Sequence, residues 1–109
     1  MMGAAGKDHQ PGPREIYGGL IRIHILYHAC QGSVFGLGMI EELQRHGYKL
    51  SAGTIYPLLH GLEKRGYLYS RQKRVGRSIR RIYQGTRAGR RALSEAREKV
   101  KELLGELLE

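Results

Sequence analysis

Cysteine is almost missing from this chain of 109 residues. Cys30 stands alone, so no intrachain disulfide can form and the fold does not need an oxidising compartment. No apolar stretch approaches the ~20 residues of a membrane span, and Met1 to Pro13 lack the apolar core of a secretory signal. We therefore read the protein as cytoplasmic, with no membrane partner. Catalytic groupings are missing too. There is no Gly-rich phosphate loop, and no Ser or Cys is credibly paired with His and Asp. The central acids Glu41, Glu42 and Glu63 all fall on predicted helix surfaces. Neither an enzyme nor a cofactor is expected.

Acidic residues are scarce: 10 Asp and Glu face 19 Lys and Arg, for a net charge of +9. Between Lys64 and Arg91 there are none, while 11 basic residues fall in those 28 positions. Such focusing of one sign is the electrostatic footprint of a phosphate-binding surface rather than of an ordinary solvated face. The partner expected from this is double-stranded DNA. The competing reading is a basic module that docks an acidic protein or an anionic surface, without an operator.

The length fits one small domain. Residues 1–13 read as a disordered tail. A first helix is firm from Leu20 to Cys30, with Ile16, Leu20, Ile23, Leu26 or Tyr27, and Cys30 on one face and Ile21, Ile25 and Ala29 on another. A helix apolar on most sides should meet both its own core and a second subunit. His24 and His28 are four apart on it, a spacing able to bind zinc. With no further ligand evident, they read as a packed or interface pair, and no metal site is assigned.

A second helix is expected from Gly36 to His46, with Leu37, Ile40 and Leu43 on one face, and Gly47 ends it. A third starts at Ser51, whose hydroxyl is suited to capping, and ends at Gly66. Its core stripe is Ile55, Leu58, Leu59 and Leu62, and Pro57 should distort its first half. Leu68 to Val75 and Ile79 to Gln84 flank a Gly-containing turn and predict a β-hairpin. From Thr86 to Leu108 the spacing of Gly89, Leu93, Ala96, Val100, Leu103 and Leu107 makes a short heptad seam. The fold class is thus mainly α with a small β-hairpin: a winged helix-turn-helix over residues 14–85, followed by a long C-terminal dimerisation helix over 86–109.

The run from Leu50 to Leu68, with Ser51-Ala52-Gly53-Thr54-Ile55-Tyr56-Pro57-Leu58-Leu59 at its front and Gly66-Tyr67-Leu68 at its end, resembles the recognition-helix signature of PadR-family transcriptional regulators. Tyr83, Thr86 and Gly89 resemble that family's wing exit and dimerisation-helix start. The length and single C-terminal helix look like its shorter subgroup.

The resemblance implies a homodimeric repressor on a palindromic operator. It implies that Ser51, Thr54, Tyr56 and His60 face DNA with Lys64 at the edge of that face. Arg71, Lys73, Arg74, Arg77, Ser78 and Arg80 are expected as the wing contacts, and the heptad residues Leu93, Ala96, Val100, Leu103 and Leu107 as the dimer interface. Two departures stand out. Gly85 replaces the apolar residue usual before the Thr, which predicts a looser junction. The chain also has no tryptophan to bracket a flat aromatic ligand. A small-molecule effector would have to use Tyr17, Tyr27 or Phe35 instead.

Overall fold

The computed structural model describes residues 16–109. The expected tail, 1–13, lies outside them. The elements are α1 (Gly18–Gln31), α2 (Gly36–Arg45), α3 (Ala52–Lys64), β1 (Leu68–Val75), β2 (Ser78–Gly85) and α4 (Arg87–Leu107). Order and type follow the pattern of the sequence, with ends shifted by one or two residues.

The three short helices enclose one core. Ile21, Ile25, Leu26 and Ala29 of α1 meet Met39 and Leu43 of α2 and Ile55, Leu58, Leu59 and Leu62 of α3, and Leu68 and Tyr83 close it from the hairpin. The stripe expected on α3 is buried as read. On α1 the core takes the Ile21, Ile25, Ala29 face; Ile16 and Leu20 of the other stripe are exposed. On α2, Met39 occupies the core position and Leu37 points to solvent. Periodicity names a helix's apolar residues, but α1 is apolar all round, so only its neighbours choose the inner face.

Two helix ends share one device. Gly47 and Gly66 take positive φ, 92° and 86°. The following amides, of Tyr48 and Tyr67, reach back to the carbonyls of Leu43 and Leu62 at 2.9 and 3.0 Å. This 6→1 bond ends each helix and turns the chain sharply. Ser51 holds the N-cap position of α3, but its hydroxyl makes no cap bond; it lies 3.5 Å from the Thr54 hydroxyl instead. The helix α3 runs unbroken through Pro57. The proline forfeits one backbone bond near the start of the helix.

The hairpin pairs antiparallel, with Leu68 opposite Gly85 and Val75 opposite Ser78. Val34, just before α2, bridges Tyr83 through both backbone bonds, at 2.9 and 2.7 Å, and fastens the sheet to the helices. Only the base is buried; every residue from Arg71 to Ile79 is exposed. The poor alternation of the sequence reflects a ribbon that projects beyond the core.

Thr86 fixes the hairpin-to-helix junction. Its hydroxyl accepts from the Gly89 amide at 2.9 Å and donates to the Gly66 carbonyl at 2.6 Å, so one side chain caps α4 and ties it to the end of α3. Gly89, read as the first seam position, is instead buried within its own domain, where an added Cβ would fall 2.1 Å from the Tyr67 carbonyl oxygen. The junction at Gly85 is tight rather than loose, because Cys30 fills the space a side chain would take: an added Cβ would meet its Sγ at 2.5 Å.

From Arg97 onward every residue of α4 is exposed, including Val100, Leu103, Leu104 and Leu107. The helix carries the molecule to 52 Å in its longest dimension.

Candidate nucleic-acid interface

The core stripe of α3 forces the opposite side outward. Tyr56, His60 and Lys64, four apart, form one exposed line. Ser51 and Thr54 sit at its N-terminal end, Ser51 exposed and Thr54 half-buried. With Ala52 and Gly53 they give the helix a narrow leading end, which lets its backbone enter a groove closely. Tyr56 does not project freely. Its ring lies over the start of α2, where an added Cβ on Gly36 would meet the ring at 2.4 Å. This brings the phenol to the N-terminus of α2, which has no capping side chain. Helix N-termini of this kind favour anions.

The wing residues separate by register. Successive side chains of a strand alternate between faces, and paired residues share one. Arg71, Lys73, Ser78 and Arg80 therefore lie on one face and Arg74 on the other, with Arg77 in the turn. Arg80 is also held: its guanidinium sits 4.3 Å over the Phe35 ring. That stack links the basic face of the wing to the start of α2, beside Tyr56. Phe35, considered above as an effector contact, is thus occupied by Arg80.

A polar relay missed by sequence reading supports the base of the wing. Arg81 donates to the Ser70 hydroxyl at 3.0 Å, and Ser70 donates to Glu63 at 2.8 Å. Glu63, read as a surface acid, thus anchors β1 and β2 to the end of α3. The signal is a 7-residue and an 11-residue separation, which no local pattern records. Tyr83 packs behind His60, ring centroids 6.4 Å apart. Its buried hydroxyl has no hydrogen-bond partner among the described residues, and burial, then the charge of Glu63, raises its pKa.

The seam residues divide as well. Leu93 and Val100 line a groove of about 780 Å³ between α1 and α4, opposite Leu20, Ile23 and Tyr27. Ala96 lines a neighbouring groove with Leu26 and Leu58. Leu103 and Leu107 stand clear of both, at 50% and 70% exposure. Cys30 is half-buried, and burial pushes its thiol up, against the pull of Arg90. No helix among the described residues is long and apolar enough to cross a membrane.

Three helices, an α1–α2 connection tied to a basic hairpin through Val34, and a third helix with an exposed outer face define a winged helix-turn-helix. The Transcriptional regulator PadR-like family model matches residues 25–95. The chain belongs to that family: it is a PadR-like transcriptional regulator. It is 47% identical over 95 residues to the transcriptional regulator Rv3488 of Mycobacterium tuberculosis, covering 87% of this chain and 89% of that protein. Among solved structures it is similar to a PadR family regulator of Eggerthella lenta, at 31% identity and a TM-score of 0.75, covering 87% of each chain. It is also similar to a PadR-like regulator of Bacillus cereus, at 28% identity and a TM-score of 0.75, covering 86% of this chain and 96% of that one.

Proposed function

We propose that the protein is a homodimeric repressor that binds a palindromic operator. The supporting observation is the alignment of three features on one side of the domain. These are the Tyr56, His60, Lys64 line of α3, the uncapped start of α2, and the Arg71, Lys73, Ser78, Arg80 face of the wing joined to α2 through Phe35. In this reading α3 enters the major groove. Ser51, Thr54 and His60 address base edges there, since polar side chains at that depth distinguish all four base pairs. Tyr56 and the α2 amides share a phosphate, and the wing cations neutralise further phosphates or enter the minor groove. Arg77 at the tip reaches farthest. Arg74 supplies charge from the other face.

The apolar surface that the single chain leaves uncovered supports homodimerisation. Leu93 and Val100 with Leu20, Ile23 and Tyr27, continued by Leu103 and Leu107, make a surface suited to the same surface of a second copy. Two copies would repeat the DNA contact about one helical turn away, roughly 34–36 Å.

Selection of bound sites from random DNA, followed by competition with unselected DNA at physiological salt, tests the reading. A half-site repeated in inverted orientation should emerge, preferred by ~10³ or more. Equal affinity for all sequences would refute it and leave a basic docking module.

A further inference from the structure

Three imidazoles on the wall of the α1–α4 groove take no part in the DNA-binding arrangement. His24 and His28 lie one turn apart on α1, and His46 closes the C-terminal end of α2. One ring nitrogen of each lies within 4.8 Å of the others. The His24 and His28 rings are nearly parallel, at 11°, and the His46 ring centroid is 4.8 Å from that of His24. Glu42, one turn before His46, joins them. Its Oε2 is 3.4 Å from His28 Nε2 and 3.1 Å from His46 Nε2, while its Oε1 accepts from Arg45.

We propose that His24, His28, His46 and Glu42 form a binding site for a divalent transition-metal ion of the zinc class. Two i, i+4 pairs on packed helices bring three imidazole nitrogens within 4.8 Å of one another with Glu42 beside His28 and His46, and three imidazoles with one carboxylate are a tetrahedral zinc donor set. Ligand atoms at zinc bond lengths stand about 3.3 Å apart. Among the three imidazole nitrogens, the widest separation, 4.8 Å, closes by about 1.5 Å, within the reach of side-chain rotation.

Surrounding groups orient the donors. Arg45 fixes the carboxylate through the oxygen that faces away from the imidazoles, and the Tyr48 ring stands edge-on to His24 at 5.5 Å. With imidazole and carboxylate donors and no thiolate, the site selects zinc, nickel or cobalt(II) over magnesium, calcium and copper(I).

The position gives the ion a role. Two ligands sit on α1 and two at the end of α2, from which Gly47 leads into α3, so a bound ion pins the helix-turn-helix to α1. Resting on the reading of α3 as the DNA-reading helix, occupancy changes operator affinity.

The full chain, stripped with chelator, is titrated with zinc against a chromophoric competitor and with cobalt(II) by visible absorption. One ion per chain is expected, with the d–d bands of tetrahedral cobalt. His28→Gln and His46→Gln should each weaken zinc binding by ~100-fold or more while circular dichroism stays unchanged; His9→Gln should not weaken it. Absence of binding, or equal binding by all three variants, overturns the site and leaves the DNA reading untouched. Operator affinity is then compared between zinc-loaded and stripped protein, with a change of about fivefold or more expected. Zinc binding without that change overturns the coupling and keeps the site. Zinc binding by a protein that prefers no DNA sequence keeps the site and sinks the repressor.

Discussion

Gly85 and Cys30 offer a quantitative test of how the hairpin meets the helices. Gly85→Ala places a methyl group 2.5 Å from Cys30 Sγ and 3.3 Å from its Cα. Ordinary contact needs about 3.5 Å or more, so the strand end or the thiol must move by about 1 Å. Overpacking of this kind costs about 1–3 kcal/mol. The backbone at Gly85 is not in the positive-φ region, so alanine gains about 0.4–1 kcal/mol by restricting the unfolded chain.

The net loss for Gly85→Ala is then about 1–2 kcal/mol. Cys30→Ala alone removes one half-buried sulfur and should cost about 1 kcal/mol. In the double variant the methyl occupies the space of the sulfur, with only the 3.3 Å approach to the Cys30 backbone left tight. The pair should therefore be no less stable than Cys30→Ala, a coupling of about 1–2 kcal/mol. Urea unfolding of the four proteins by circular dichroism, at one fixed protein concentration because association shifts stability, reads it. Losses that add to within about 0.5 kcal/mol would refute the close packing and restore the loose junction expected from the family pattern.

Three further outcomes are expected. Tyr83→Phe removes a buried hydroxyl that lacks a partner among the described residues, so stability should stay level or rise by up to about 1 kcal/mol; a fall in the urea midpoint worth more than that would reveal a bond not accounted for. Leu93→Asp with Val100→Asp puts two charges into the α1–α4 groove and should give a folded monomer by sedimentation, whereas persistent dimers would move the interface elsewhere. Arg77→Ala should weaken binding to every DNA sequence alike and shallow the salt dependence by about one unit, while His60→Ala should alter which half-site is preferred. Uniform effects from both would remove the division between wing and α3.

Much of the site was legible because it depends on local pattern. The four-residue beat of Ile55, Leu58, Leu59 and Leu62 fixes the inner face of α3, and with it the outward line of Tyr56, His60 and Lys64. Wing register was not legible in the same way. Arg71, Lys73, Arg74 and Arg80 look equivalent as charges, and only pairing across the turn sets Arg74 apart.

The sequence by itself determined where helices start and stop, through hydrophobic period and the glycines after α2 and α3, and that one stretch of chain carries the positive charge. Those properties belong to neighbours within a few residues. Tertiary structure alone decided the inward face of α1, the Arg80 stack on Phe35, the fit of Cys30 against Gly85, and the meeting of His46 and Glu42 with His24 and His28. Each joins residues far apart in the chain, or chooses between faces of equal hydrophobicity. Such choices are made by packing free energy, which is defined only once the elements meet.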